Sequence, residues 1–401
     1  MLLFKQGRKI KNLKRKKIFI SRKGISLGKI GKLVLRDNSG RPVIFFDNEE
    51  KKKDISAFIK GWQKGAVVFG SGIKRPAKKI NRKVFIFNPF METSCSYNPL
   101  AEIRILGPDE KRDLKNISDI LADSDDSLSI FLMSFIAYVM YKENNAGMKD
   151  VADFIENLDR KRLKDILEEN IFSRHKENSG FYMQKFSALC MKSEDELESI
   201  KEALLKKIKV FKDPIVLQKT SKSDFRIKDL FEKEMLVYLQ YSNLKPEPAG
   251  KIFQMLINQI CYFSPEKNIK SPKLLMLGEG RRLGKLDFIT KNEACGAVKL
   301  FLIFKSISQL KEICNEKKAL KNFKIQLFSG GLDKETSLYA QNFFGKAEGV
   351  FITPKVLPQQ TLRYGSRMVY YLTADDIMWM EKSKVVIGEK ENEPIIADKI
   401  F

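Results

Sequence analysis

Histidine is almost missing from this sequence: His175 is the single one in 401 residues. That excludes most histidine-built metal sites and a Ser-His-Asp hydrolase. His175 lies in the charged stretch SRHKENSG and reads as exposed, with no role assigned. Cysteine is scarce too, with five scattered residues (Cys95, Cys190, Cys261, Cys295, Cys314) and no C-x-x-C pair. An odd count in a chain of this length argues against a disulfide framework and for a reducing cytosol. Long apolar runs are also lacking. The best, LSIFLMSFIAYVMY (Leu128 to Tyr141), is interrupted by Ser129 and Ser134. It falls short of the roughly 18 residues a membrane span needs. The N-terminus, MLLFKQGRKIKNLKRKK, has no secretion-signal core, and its lysines read as a solvated tail.

What is abundant is positive charge. Lys+Arg number 74 against 50 Asp+Glu, a formal net charge of +24. Such an excess favours contact with polyanions, either nucleic acid or an anionic membrane surface. The competing explanation is a lysine-rich composition carried on solvated faces. With 43% hydrophobic and 31% charged residues the chain reads as globular, and its length favours roughly two domains.

Short runs of apolar and aromatic residues bounded by Gly, Asn and Pro mark strands in the first part. They are KIFI (Lys17 to Ile20), KLVL (Lys32 to Leu35), PVIFFD (Pro42 to Asp47), AVVFG (Ala66 to Gly70) and KVFIFNPF (Lys83 to Phe90). Little alternation within them implies strands covered on both faces, as in a parallel sheet. From Arg112 to Phe211 the spacing changes to helical: Ser118 to Tyr141, Met148 to Asn157 and Ser193 to Phe211. Asp125-Asp126-Ser127 and Ser193 read as helix starts. Strands return at MLVYLQY, KLLMLG, VKLFLIF and KIQLFSG, with helices around Gly250 to Phe263, Ser306 to Glu316 and Lys334 to Phe344. That alternation predicts a parallel α/β sheet interrupted by a helical insertion. The expected division is 1–111, the tail and first half of the α/β domain; 112–211, all-α; and 212–401, the second half.

A nucleotide hydrolase of this class cradles phosphates in a G-x-x-x-x-G-K-[ST] loop between its first strand and helix. No such match occurs; Gly70-Ser71-Gly72-Ile73-Lys74 lacks the spacing and reads as a turn. KLLMLGEGRRLGKLDFI (Lys273 to Ile289) nevertheless ends a strand in an acid and a basic loop. That is how many such enzymes present a metal-binding carboxylate.

Four stretches then occur in a recognisable order. They are KVFIFNPFMETSCSYNPLAEIR, FKDPIVLQKTSKSDFRIKDL, RRLGKLDFI and LFLIFKSISQLKEI. Together they resemble the TraG/TraD-type coupling proteins of bacterial type IV secretion and conjugation, from about Ile25 to the C-terminus. The resemblance implies a RecA/FtsK-like, P-loop NTPase-type parallel sheet flanked by helices, with an inserted all-α, substrate-facing domain. It also implies hexameric inner-membrane ATPases using ATP and Mg²⁺, which bring DNA–protein or effector substrates to a secretion channel. Family chains carry a transmembrane segment upstream of the matched region, and this chain starts too late to contain one. The expected location is cytoplasmic, peripheral at the inner membrane, in a homo- or hetero-hexamer.

Several family positions are altered. After PVIFF the phosphate-loop place reads FDNEEKKKDISAFIKGW, without glycines and with Glu49 and Glu50 near the phosphates. Lys51, Lys52 or Lys53 would have to replace the loop lysine. AVVFG ends in Gly70 where the family has Asp, and the Asp-Glu-Phe of the second motif has become Gly278-Glu279-Gly280. Glu279 remains as a remnant catalytic carboxylate or as a strand-end acid paired with Arg281 or Arg282. The sensor strand ends in Lys305-Ser306 instead of Gln-Ser, making Lys305 a further nucleotide-side candidate. Arg281, Arg282 and Lys285 are candidates for nucleic-acid or subunit contact. The expectation is a pseudo-ATPase that binds neither ATP nor Mg²⁺. The alternatives are an active ATPase with a non-standard loop and a basic nucleic-acid-binding module. YNPL (Tyr97 to Leu100) and YGSRMVYY (Tyr364 to Tyr371) read as structural, the latter as a strand.

Overall fold

Apolar runs without alternation need cover on both faces, and the chain provides it. The computed structural model describes residues 19, 21–48, 56–71, 82–169, 171–172, 179–240, 246–264, 272–290, 296–353 and 363–400. The strands are β1 (Ile25–Ile30), β2 (Leu33–Asp37), β3 (Val43–Phe46), β4 (Ala66–Gly70), β5 (Lys83–Phe87) and β6 (Met235–Gln240). They continue with β7 (Lys273–Leu277), β8 (Val298–Phe304), β9 (Ile325–Ser329), β10 (Lys346–Thr353) and β11 (Arg363–Tyr370). The last two are β12 (Lys384–Glu389) and β13 (Ile395–Asp398). Every residue of β3, β4, β7, β8 and β9 is buried.

The chain divides into two compact units, the first comprising 1–81, 266–281 and 287–401. Its sheet runs β2-β1-β13-β12-β9-β3-β8-β7-β4. The core β9-β3-β8-β7-β4 is parallel. The outer β2-β1-β13-β12 pairs antiparallel, and β12 joins β9 antiparallel. The sheet is therefore mostly parallel, with an antiparallel flank that the strand–helix alternation did not foreshadow. Antiparallel neighbours need no crossover helix, so β1, β2, β12 and β13 leave no such signal. β10 and β11 form a separate antiparallel ribbon.

Lys299, the second residue of β8, is fully buried, and its ammonium is matched by the Asp37 carboxylate and the Ser39 carbonyl at 2.8 Å. Burial pulls its pKa down, opposed by Asp37. A cation there is tolerated because its charge and its donors are both answered.

The second unit comprises 82–265 and 282–286. Here β5 and β6 pair parallel, and the other described elements are helices. Helices Glu110–Leu121 and Asp126–Lys142 split the single helical stretch expected from Ser118 to Tyr141. Asp123 and Ser124 take positive φ between them, which ends the first helix. Asp125 caps the second through the backbone N–H groups of Ser127 and Leu128. Ser193 caps Glu194–Lys207 reciprocally with Glu196. The helices close on an aromatic core of Phe135, Tyr138, Phe154, Phe172 and Phe186.

Candidate functional site at the carboxyl edge of the parallel strands

Parallel α/β sheets bind ligands beyond the carboxyl ends of their strands. In the first unit that edge is formed, in spatial order, by the residues after β9, β3, β8, β7 and β4: Gly330, Asp47, Lys305, Gly278-Glu279 and Ser71. The register Phe46↔Phe304 puts the ends of β3 and β8 level, whereas Leu277↔Leu302 ends β7 two residues short of the end of β8. Two strand spacings separate Asp47 from Glu279, about 10 Å.

Asp47 follows the central strand, where a phosphate loop would begin. Its backbone N–H donates to the Phe304 carbonyl at 2.8 Å, continuing the ladder. Its side chain is fully buried and accepts from Lys399 Nζ at 2.8 Å; Lys399 is itself 3% exposed. A carboxylate thus stands at the start of the phosphate-loop place, with its counter-charge supplied from just past β13. Next to it, Asn48 Nδ2 donates to the Gly331 carbonyl at 3.2 Å. Glu49, Glu50, Lys51, Lys52 and Lys53 lie outside the described residues, as do His175 and Cys295.

Glu279 is half-buried, and its Oε1 accepts from the Ser71 N–H at 3.2 Å and from the Ser71 hydroxyl. Adjacent β4 and β7 make this contact, because Gly278 N–H donates to the Phe69 carbonyl at 2.8 Å and aligns the two ends. Arg281 pairs with Glu312 at 2.7 Å, not with Glu279. Gly280 packs against Phe304: a Cβ at position 280 would lie 3.1 Å from that ring. Lys305 is exposed, and its backbone N–H donates to Gln309 Oε1 at 2.9 Å. The edge therefore carries Asp47, Lys305 and Glu279 at the ends of three neighbouring strands. Arg282 and Lys285 belong to the second unit, both exposed, with the Lys285 carbonyl accepting from Gln254 Nε2 at 2.6 Å.

Fit to Mg²⁺ and a triphosphate can be judged from these donors. Gly278 offers no carboxylate where the metal would be positioned, and Glu279 is engaged by Ser71. No group of three His, Cys, Asp or Glu side chains able to hold a metal exists among the described residues. Asp47 and Lys399 neutralise one another, so this pair presents no free positive charge to a phosphate. The described donors do not suit Mg²⁺–nucleotide.

Sequence reasoning overlooked Asp47, Lys399 and Ser71. Asp47 carried a signal, an acid directly after four buried apolar residues, whereas Lys399 carried none.

In the second unit, two of the stretches that carried the resemblance meet. Ser96 N–H donates to Asp224 Oδ2 at 2.7 Å, Asp224 N–H returns to the Ser96 carbonyl at 3.0 Å, and Asn98 N–H donates to Ser223 Oγ at 3.0 Å. Tyr97 stacks on Phe225, and its hydroxyl donates to Gln259 Oε1 at 2.7 Å. Burial pushes the Tyr97 phenol well up, so it stays neutral. Cys95 beside it is pushed up to about 12 by burial, with Asp224 adding to the effect, which makes it a poor nucleophile.

The profile of the type IV secretory system conjugative DNA transfer family matches residues 70–401. The chain belongs to this family. It is 25% identical over 291 residues to the conjugal transfer protein TraG of Escherichia coli, covering 65% of this chain and 44% of that protein. It is 30% identical over 207 residues to protein VirD4 of Agrobacterium fabrum, covering 48% of this chain and 31% of that protein. The chain thus spans less than half the length of these relatives. Among solved structures, the conjugative coupling protein TrwBΔN70 superposes with a TM-score of 0.70 at 13% identity, covering 97% of this chain and 90% of that one. TrwB in complex with ADP and Mg²⁺ gives 0.65 at 12% identity. The fold of this family member is accordingly the RecA-like P-loop NTPase fold of TrwB. No helix among the described residues is long and apolar enough to cross a membrane.

Proposed function

We propose that this coupling-protein homologue works as a non-hydrolysing subunit or adaptor of a type IV secretion apparatus. It would bring DNA–protein or protein substrates to the channel as part of a homo- or hetero-hexamer at the inner membrane. Family membership supports the kind of partner. The helical stretch 112–211 is its substrate-facing part, and 1–111 with 212–401 form the motor-like scaffold.

The observation that carries the reading is the Asp47–Lys399 pair at the end of the central strand. TrwB has been solved with ADP and Mg²⁺; the resemblance would put the start of the phosphate loop at the buried Asp47 and the metal-positioning acid at Gly278. The paired Asp47 and Lys399 offer a triphosphate no free positive charge, and a metal's share in neutralising the charge of phosphoryl transfer would be missing. Glu279, Lys305 and Lys51–Lys53 would then be remnants, and Arg281, Arg282 and Lys285 contacts to nucleic acid or a neighbouring subunit.

The test is ATP·Mg²⁺ binding by calorimetry and thermal shift on the purified chain and on Glu279→Ala. No saturable heat and no rise in Tm at about 1 mM nucleotide is expected, since a ligand held only by the folded state stabilises it by mass action. Saturable binding that Glu279→Ala weakens would restore an active ATPase.

A further inference from the structure

A guanidinium taken even partly out of water is costly unless an acceptor meets it. Among the described residues four arginines are half-buried: Arg36, Arg41, Arg82 and Arg160. Arg41 pairs with Asp37 and Glu389, Arg160 pairs with Glu194, and Glu234 acts on Arg82. The Arg36 side chain has neither a hydrogen bond nor an ion pair among the described residues, and its Nε is buried without an acceptor.

The backbone around Arg36 accounts for that burial. Gly61 lies against the side chain: a Cβ there would stand 2.7 Å from Arg36 Nε and 2.8 Å from the Gly24 carbonyl oxygen. Gly24 N–H donates to the Gly61 carbonyl at 2.9 Å, and a Cβ on Gly24 would run into the Asp37 carbonyl. Arg36 N–H donates to the Phe19 carbonyl at 2.8 Å. Three segments therefore meet at this side chain: the end of β2, the turn before β1 and the turn after the helix Ser56–Ile59. Nε is fixed against backbone, while Nη1 and Nη2 are neither buried nor engaged.

Charge at this corner has one sign. Lys23 and Lys60 are the chain neighbours of the two glycines, and both are exposed, as is Arg22. Residues 1–36 contain 13 Lys and Arg and no acid. The adjoining carboxylate, Asp37, is engaged by Lys299, Arg41 and the Ser39 hydroxyl. An orphaned N–H and unanswered like charges both cost stability, and an anion on the outward nitrogens offsets that cost. Two guanidinium nitrogens match two oxygens of a phosphate group. Phosphate keeps further oxygens for flanking ammonium groups, which a carboxylate lacks.

We propose that Arg36, with Lys23 and Lys60 on the adjoining turns, forms an anion site for a single phosphate group, free or on a lipid headgroup. Asp37 pairs with Lys299 near the amino end of β8, so this corner lies away from the strand-end edge that carries Asp47 and Glu279. The site is independent of the nucleotide reading above.

Two probes on the full chain test it, at about 0.15 M salt, where exposed charges are screened beyond about 8 Å. One is inorganic phosphate, followed by calorimetry. The other is phosphatidylcholine vesicles with and without phosphatidylglycerol, followed by co-sedimentation. Saturable phosphate heat assigns a free phosphate, and binding confined to phosphatidylglycerol vesicles assigns a headgroup. Arg36→Met and Arg36→Lys should each weaken whichever binding occurs roughly tenfold or more, as loss of a charged bidentate contact does. The lysine variant decides, because it keeps the charge and loses the fork. Arg36→Met strands no partner, so its Tm should stand at or above that of wild type. Binding of neither probe, with phosphate at about 10 mM, ten times the Kd of a weak millimolar site, overturns the proposal. So does Arg36→Lys binding as wild type does, since net charge then suffices. Duplex DNA captured while both probes are refused overturns it as well.

Discussion

Asp47 and Lys399 are 352 positions apart in the chain and meet with almost no exposure to solvent. Removing one partner strands a buried charge. Asp47→Asn is therefore expected to cost about 3–5 kcal/mol in urea unfolding, and Lys399→Met a similar amount. The double variant Asp47→Leu/Lys399→Met should cost clearly less than the sum, since it removes both charges together. Additive losses would mean that the pair is not coupled. Gly330 makes a second residue-scale prediction. Any side chain there enters the backbone of Met380 and Glu381, so Gly330→Ala should lose about 1–3 kcal/mol by overpacking. If the segment of the neighbouring Trp379 is the part displaced, the fluorescence of that exposed indole will change with it.

Between elements, the clearest electrostatic joint is Asp123, in the turn before the helix Asp126–Lys142. Burial pushes its carboxyl up, but Lys207 at 2.6 Å and Lys251 at 2.9 Å hold it below its ordinary value of 3.8. A folded-state pKa below the unfolded one contributes stability above the ordinary carboxylate range. That stability disappears as pH falls through the lowered value. Asp123→Asn should thus be less stable than wild type near neutrality and converge with it as pH falls below the ordinary carboxylate range; curves that stay parallel throughout that fall would refute the assignment. The helices joined here were legible from apolar spacing and from the caps Asp125 and Ser193. The break at Asp123 and Ser124 was signalled only by the helix start read at Asp125, because apolar residues continue in phase across it. Likewise, Tyr97 and Asn98 showed as a motif in sequence, but their partners Phe225 and Ser223 are known only once β5 and β6 lie side by side.

For the whole molecule, the +24 charge is unevenly spread. Residues 112–211 carry 16 Lys+Arg against 19 Asp+Glu, so the excess lies entirely in the rest of the chain. Duplex DNA binding, where it occurs, should fall roughly 10³-fold between about 50 and 200 mM salt. Charge reversals at Lys29 and Lys32 should lessen that slope, while reversals of exposed lysines within 112–211 should leave it unchanged. Fluorescence anisotropy at several salt concentrations would show this. A slope that responds instead to the helical stretch would move the polyanion contact there.

Residue order was enough for the parallel core of β9, β3, β8, β7 and β4, because strands covered on both faces must be apolar throughout. It was enough for the helices between Glu110 and Lys207, whose period of 3.6 is local. Those are properties of neighbours in the chain. The antiparallel flank, the Asp47–Lys399 pair, the hold of Ser71 on Glu279 and the exposure of Trp379 are not. Each depends on groups brought together from distant segments, and the free energy of burying a charge or leaving an indole in water is decided by what packs around it. Only the folded chain sets that.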